Sequence, residues 1–123
     1  MAPEKRLILV VDDDRDIREA ITDTLVDSGY RAAACADGES ALEYLRRSPA
    51  PGLILLDWNM IPMNGLEFMK HFSSEPAWAA IPVALVTADS KAEEKAQLAA
   101  FAGYLRKPMK LRDLLGLIER HCT

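Results

Sequence analysis

The sequence predicts an α/β domain in which five parallel strands form one doubly wound sheet with helices on both faces. Three observations support this fold class. Short aliphatic runs alternate along the chain with segments of helical periodicity, the connections between them are short, and two of the aliphatic runs end in carboxylates. Right-handed crossovers between such units favour the strand order 2-1-3-4-5.

Composition limits the class of protein. The chain has 123 residues, of which 50% are hydrophobic and 28% charged, and this balance predicts one globular domain over residues 1–123. The net charge of -4 argues against bulk electrostatic binding to nucleic acid. No apolar segment approaches the roughly 20 residues that cross a bilayer, so no membrane location is predicted. The two cysteines have no metal-binding or redox spacing, and the amino-terminal sequence does not have the pattern of a secretory leader. Both observations favour the cytoplasm.

The first strand leads into an acidic turn. Residues 7–11 are aliphatic and run into Asp12, Asp13 and Asp14. Residues 15–28 then predict a helix, with Asp14 as its N-cap and Gly29 as its stop. Helical spacing assigns five of its side chains to the buried face, namely Ile17, Ala20, Ile21, Thr24 and Leu25.

The second unit leads into the central strand. Residues 30–35 predict a weaker, alanine-rich strand at the edge of the sheet. A second helix begins at Asp37 and continues to Arg47. The next strand consists of four aliphatic residues, 53–56, which suits a strand covered on both faces, and it ends at Asp57. The buried face of the second helix is predicted to be Ala41, Leu42 and Leu45.

The later units repeat the pattern with polar strand ends. A third helix is predicted over residues 65–72 and a fourth strand over 82–87, which ends in the hydroxyl of Thr87. A fifth strand over 101–106 is closed by Lys107-Pro108. The predicted core positions of the third and last helices are Leu66, Phe68, Met69, Phe72, Leu111, Leu114, Leu115 and Ile118.

A fourth helix is predicted over residues 91–100, with Ser90 as its cap. Its composition favours a helix, but Leu98 is its one large apolar residue, so we expect loose anchorage to the core.

The predicted strand order brings the polar strand ends together. The first and third strands lie side by side, so Asp12, Asp13 and Asp57 should converge, with Thr87 and Lys107 alongside. Clustered carboxylates repel each other unless a cation neutralises them, and oxygen ligands of this kind suit Mg²⁺. Lys107 adds a positive charge and Thr87 a hydroxyl donor, which are the parts that phosphoryl transfer to Asp57 needs.

The chain resembles the receiver domain of two-component response regulators, a CheY-like, flavodoxin-like fold. The matching residues span the whole chain: Asp12-Asp13, Asp57 with Met60 and Gly65, Thr87-Ala88 and Lys107-Pro108. The resemblance implies that Asp57 receives a phosphoryl group from the phosphohistidine of a kinase. It also implies Mg²⁺ bound by Asp13, Asp57 and the backbone carbonyl of Asn59, with Asp12 acting through water.

The same resemblance implies further roles. Thr87 and Lys107 would report phosphorylation, with Tyr104 as an aromatic switch. Asn59 and Asp89 would flank the attacking water and give a phosphoryl lifetime of seconds to minutes. The Lys107–Pro108 bond is expected to be cis, and we expect phosphorylation to order the fourth helix.

Two departures from the family pattern are present. Pro62 is shifted one place along the turn, which restricts Ile61 and could re-aim the Asn59 carbonyl. The segment between Thr87 and Lys107 is shorter than usual.

These features predict a response regulator that catalyses its own phosphorylation and dephosphorylation, rather than an enzyme acting on separate substrates. Its expected partners are a histidine kinase or histidine phosphotransfer protein and a downstream protein target. We expect a monomer or a weak phosphorylation-dependent dimer. The alternatives are a phosphorelay shuttle, a receiver domain of a larger regulator, a small Mg²⁺-dependent phosphohydrolase, or a structural receiver that binds partners without phosphorylation.

Several other residues have plain structural interpretations. Tyr104 alone would be a half-buried strand aromatic, and Trp78 is expected to pack in its loop. His71 and His121 are expected at the surface, and Cys35 and Cys122 as small apolar side chains.

Overall fold

The computed structural model describes residues 7–60, 63–88 and 101–122. The predicted helix over 91–100, its Ser90 cap, Asp89 and the Ile61–Pro62 turn lie outside these ranges. The described strands are β1 (Leu7–Val11), β2 (Arg31–Cys35), β3 (Leu53–Leu56), β4 (Val83–Thr87) and β5 (Gly103–Arg106). The described helices are α1 (Arg15–Asp27), α2 (Gly38–Arg47), α3 (Gly65–Ser73) and α4 (Leu111–Cys122), with a 3-10 turn at Pro76–Trp78.

The five strands form one parallel sheet in the order β2-β1-β3-β4-β5. This order confirms the predicted doubly wound arrangement, with β2 at an edge. Val11 at the end of β1 lies opposite Leu56 at the end of β3, and the Asp57 amide donates to the Val11 carbonyl at 2.9 Å. The register therefore brings the residues that follow β1 and β3 to the same point of the sheet edge.

Alternating side chains of the sheet build a core on each face. On one face, Leu9, Val11, Ile54 and Leu56 pack with residues of α2 and α3. This layer continues into stacked aromatic rings, Phe68 on Phe72 and Phe72 on Trp78, each pair with centroids 5.8 Å apart. On the other face, the sheet packs with α1 and α4 through Ile8, Val10, Leu53, Leu55, Ala84 and Val86. The central strands are thus covered on both sides, which accounts for their unbroken aliphatic sequences.

The predicted start of the first two helices and the predicted stop of the first are confirmed. The Asp14 side chain accepts hydrogen bonds from the amides of Asp16 and Ile17, at 3.0 and 3.1 Å. Asp37 caps α2 by accepting from the Ser40 amide at 2.7 Å. Gly29 follows α1 with a φ of 89°, a left-handed conformation that other residues adopt at a cost.

Three predicted core positions are wrong. Leu66 is 44% exposed because it lies two residues before Phe68, and two residues turn a helix by about 200°. Leu111 is 54% exposed and Ala20 is also exposed, because both line an open groove between α1 and α4 instead of the core. Leu117, which the prediction missed, is 2% exposed and completes the inward face of α4 with Leu114 and Ile118.

The fifth strand begins later than predicted. Phe101 and Ala102 form a bend before Gly103. The Ala102 amide already donates to the Val83 carbonyl at 2.8 Å, whereas the Phe101 ring packs edge-on against Trp58. Among the described residues, no helix has the length and apolar character needed to span a membrane.

Candidate functional site

Three carboxylates meet at the carboxyl ends of β1 and β3. Oxygen atoms of Asp12, Asp13 and Asp57 all lie within 4.8 Å of one another. Asp12 and Asp57 are buried, at 2% and 7% exposure, while Asp13 is exposed. The structure therefore brings together the three acids that the strand order predicts to converge, and it leaves one side of the cluster open to solvent.

Lys107 places an ammonium group against this cluster. Its Nζ atom donates to Oδ2 of Asp12 and lies 3.7 Å from Oδ2 of Asp57. The Lys107 amide donates to the Thr87 carbonyl at 2.9 Å, which joins the end of β5 to the end of β4. The Lys107–Pro108 peptide bond is cis, as predicted. Among the described residues, the Lys107 ammonium therefore lies against two of the three clustered carboxylates, those of Asp12 and Asp57.

The electrostatic environment of the site shifts the pKa of Asp57. Burial raises the pKa of its carboxyl group, and Lys107 opposes this increase. The carboxylates of Asp12 and Asp13 raise the pKa further, whereas the Asn59 amide, 3.4 Å from Oδ1, lowers it. Lys107 alone therefore does not compensate for the burial of the Asp57 carboxylate and its repulsion by the neighbouring acids.

The side chains present suit a hard divalent cation. All three clustered groups offer carboxylate oxygens, the ligand type that Mg²⁺ prefers, and the exposed position of Asp13 leaves room for water ligands. An additional cation would offset the charge that burial disfavours on Asp57. Asn59 is exposed on the loop after Asp57.

Thr87 and Tyr104 lie on neighbouring strands beside the cluster. Thr87 is 1% exposed at the end of β4, next to β3. Tyr104 on β5 lies opposite Leu85 of β4. It is half-buried, as predicted for a strand aromatic. Its ring packs against Leu85 and Trp58, and its hydroxyl oxygen is buried. The ring therefore occupies the interior side of β5 in this structure.

Trp58, which directly follows Asp57, lies against Gly65 at the start of α3. Trp58 is 5% exposed, and its carbonyl accepts a hydrogen bond from the Gly65 amide at 2.8 Å. A Cβ atom at position 65 would lie 2.6 Å from Cε3 of the Trp58 ring, so the approach requires glycine. The family resemblance singles out Gly65, and its physical role here is to let α3 begin directly against Trp58.

Two features near the site were missed by sequence reasoning. Nη1 of Arg18 donates to the backbone carbonyl of Asp12 at 2.9 Å. An arginine on the half-buried side of α1 is the only signal for this contact, because a carbonyl partner has no sequence signature. The second feature is the groove between α1 and α4, of about 480 Å³, which reaches Lys107 and is lined by Ile17, Ala20, Thr24, Met109, Leu111 and Leu114.

The side chains of His71, Trp78 and Cys35 take no part in the carboxylate cluster. His71 is exposed on α3, and Trp78 packs on Phe72 as expected. Cys35 is a buried free thiol in the core, and burial raises its pKa, which keeps it protonated.

Comparison with known proteins identifies a family and several relatives whose sequences resemble this chain. Residues 8–119 match the response regulator receiver domain family. The chain is 35% identical over 116 residues to the phosphate regulon transcriptional regulatory protein PhoB of Escherichia coli, covering 93% of this chain and 50% of PhoB. It therefore spans half the length of this relative.

Solved structures agree with this match. Chemotaxis protein CheY4 of Vibrio cholerae superposes with a TM-score of 0.85 and 31% identity, covering 94% of this chain and 98% of that one. Response regulator TrrA of Thermotoga maritima, solved in complex with Mg²⁺-BeF, superposes with a TM-score of 0.83 and 27% identity, covering 94% and 97%. The match over residues 8–119 and the CheY-like fold lead to one conclusion: the chain belongs to the response regulator receiver domain family of two-component systems.

Proposed function

We propose that Asp57 accepts a phosphoryl group from a phosphohistidine on a histidine kinase or histidine phosphotransfer protein. An oxygen of its carboxylate attacks phosphorus, the phosphorus–nitrogen bond breaks, and the bonding electrons return to the imidazole of the donor. The observation that carries this proposal is the meeting of three carboxylates within 4.8 Å, with Lys107 Nζ 3.7 Å from Asp57. Asp57 is the member of the cluster that lies at the end of the central strand.

The cofactor in this proposal is Mg²⁺. Asp13, Asp57 and the backbone carbonyl of Asn59 would hold the ion directly, and Asp12 through water. When bound, Mg²⁺ supplies charge neutralisation at the transferred phosphoryl group. The oxygen-only donor set supports this assignment, as does the complex of the related TrrA with Mg²⁺-BeF.

Lys107 and Thr87 are the proposed phosphoryl-binding side chains of the protein itself. Lys107 already lies between Asp12 and Asp57, so its ammonium can neutralise a phosphoryl oxygen without crossing the site. The Thr87 hydroxyl would donate a hydrogen bond to the same group from the end of β4. Because these groups all belong to one chain, we propose that the domain catalyses its own phosphorylation from small phosphodonors and its own dephosphorylation, with Asn59 and Asp89 beside the path of water.

The proposed output is a change in protein contacts. Movement of Thr87 toward the phosphoryl group would be followed by Tyr104, whose ring packs beside Leu85 on the neighbouring strand. A downstream protein would read this change, with the receiver acting as a monomer or a weak phosphorylation-dependent dimer. We propose that residues 1–123 form one receiver domain in the cytoplasm, where the free thiol of Cys35 would stay reduced.

A phosphorelay shuttle, or a receiver domain within a larger regulator, is the alternative version of this function. The match to half of PhoB supports the second form. Both alternatives use the same phosphoacceptor, so they differ in partner and not in chemistry.

The test is to incubate the protein with Mg²⁺ and acetyl phosphate and to measure its intact mass. We expect one added phosphoryl group, which Asp57→Asn abolishes and which Asp23→Asn, a change at an exposed position of α1, leaves intact. Continuous release of phosphate far above one equivalent would instead indicate a phosphohydrolase. An unmodified wild-type protein would indicate a receiver that works without phosphorylation.

A further inference from the structure

A half-buried arginine on α1 reaches back to the acidic turn. Arg18 lies one turn into the helix, and its Nη1 atom donates to the Asp12 carbonyl at 2.9 Å. Asp12 and its neighbour Asp13 are two of the three clustered acids. The guanidinium therefore contacts the main chain of the site without touching any of its carboxylates.

This contact completes the restraint of one residue. The Asp12 amide donates to the Cys35 carbonyl on β2 at 3.2 Å, and the Asp12 side chain accepts from Lys107 and from the Asp14 amide. With Arg18 on the carbonyl, both backbone groups and both carboxylate oxygens of Asp12 have partners. Because the peptide group is planar, the direction of this carbonyl also sets the position of the next Cα atom, that of Asp13.

Asp13 is the exposed member of the carboxylate cluster, and packing restrains it less than it restrains Asp12 and Asp57. It is exposed, and its carboxylate lies within 4.8 Å of two others, so mutual repulsion favours rotation of the turn away from the cluster. A turn that is already held in place spends less free energy on ordering when it binds a cation.

We infer that Arg18 is a positioning residue for the acidic cluster, which orients the Asp12–Asp13 peptide so that Asp13 is ready to bind Mg²⁺. This inference rests on the proposed function for the identity of the ion. It adds a residue that belongs to neither the ion site nor the phosphoryl-binding side chains.

The sign of one measurement separates positioning from simple charge. The positive charge of Arg18 repels a cation, so if charge alone mattered, Arg18→Met would tighten Mg²⁺ binding. If Arg18 positions the turn, the same change weakens binding, by about 10-fold, the usual effect of losing a group that orients a metal ligand. Titration calorimetry of the metal-free protein with MgCl₂ gives this affinity directly.

Two further variants complete the comparison. Arg15→Met removes a charge from the same helix, but Arg15 pairs with Glu19 at 3.1 Å and is 78% exposed, so we expect an affinity at or slightly above that of wild type. Arg18→Lys keeps the charge and a donor on a shorter reach and should recover part of the lost affinity. Equal affinity of Arg18→Met and wild type, with the wild type still phosphorylated on Asp57, would overturn the inference and leave the proposed function standing.

A measurement on the wild type covers the case in which Arg18→Met does not fold. Arginine side-chain NMR reports rotation about the Nε–Cζ bond, and we expect hindered rotation with separate Nη signals for Arg18. Averaged signals, like those of an exposed arginine, would show that the bond to Asp12 is absent and would overturn the inference. This result does not depend on phosphorylation, so it fails or succeeds separately from the proposed function.

Discussion

At the scale of single residues, the site places opposing demands on Asp57. The side chain must be buried to lie between β1 and β4, yet the proposed phosphoryl transfer requires the ionised carboxylate. Burial raises its pKa, and Lys107 only partly opposes the increase because its ammonium is bonded to Asp12. In the folded protein without a bound cation, ionisation of Asp57 is therefore unfavourable. Two predictions concern this residue and its neighbour Trp58.

The first expectation concerns stability. Because the pKa of Asp57 is higher in the folded than in the unfolded state, ionisation destabilises the fold as pH rises above the unfolded value of about 3.9. The cost is fully present above the folded pKa and absent below the unfolded one. In chelator at about pH 7, we expect Asp57→Asn to increase the free energy of unfolding by about 1 kcal/mol. Urea unfolding at about pH 3, where wild-type Asp57 is protonated, should show no difference.

The second expectation concerns Trp58, whose indole is buried next to Asp57. Binding of Mg²⁺ at the three acids would change the electric field at this ring, while Trp78 lies against Phe72 in the aromatic stack under α3. We expect MgCl₂ to change tryptophan emission in the wild type and in Trp78→Phe. The change should disappear in Trp58→Phe, and a response that survives this substitution would place the ion elsewhere.

At the scale of elements, the helices differ in how fully they cover the sheet. The inward face of α4 is formed by Leu114, Leu117 and Ile118, each at most 3% exposed. Leu111, the first residue of α4, lies beyond the edge of the core and lines the groove that α4 shares with α1. Periodicity along the sequence identifies the stripe of a helix but not the point at which the sheet beneath it ends.

A matched pair of substitutions tests this division of α4. Leu117→Ala removes a side chain that contacts Gly103 of β5 and should reduce the free energy of unfolding by about 2–5 kcal/mol. Leu111→Ala makes the same chemical change at an exposed position and should alter it by less than about 0.5 kcal/mol. Equal losses in urea unfolding would mean that the two leucines share one environment.

At the scale of the whole molecule, much of the fold followed from local chemistry. Strand ends at Asp12, Asp57 and Thr87, and caps at Asp14 and Asp37, were predictable because each is a short-range signal. The convergence of the acids followed from strand order, since parallel strands point their carboxyl ends the same way.

Other features were not predictable from sequence patterns, for reasons that differ from one contact to the next. The Arg18 bond uses a backbone carbonyl, which every residue has. The pairing of Lys107 with Asp12, rather than equally with both buried acids, is a matter of a few ångströms. The late start of β5 depends on how the Phe101 ring meets Trp58. The last two contacts each join residues that lie far apart in sequence, so no short segment of the sequence contains both partners.

The site also ties cation binding to global stability. Because the three acids meet only in the folded state, the proposed Mg²⁺ would bind that state selectively and should stabilise it by about 2.7 kcal/mol at a free concentration of 100 times Kd. We expect this gain in urea unfolding of the wild type and its loss in Asp13→Asn. If Asp13→Asn gained as much, the exposed carboxylate would not be a ligand.

The ion pair between Lys107 and Asp12 joins side chains 95 positions apart. A ribosome extends the chain from the amino end at about 5–20 residues per second, so all three acids are synthesised seconds before the lysine that neutralises them. Until then the cluster lacks the ammonium of Lys107, which in the folded domain pairs with Asp12 and lies 3.7 Å from Asp57. If Asp57 is the phosphoacceptor, as proposed, a chain whose synthesis has not reached Lys107 has an incomplete site, and phosphorylation would be confined to the fully synthesised, folded domain.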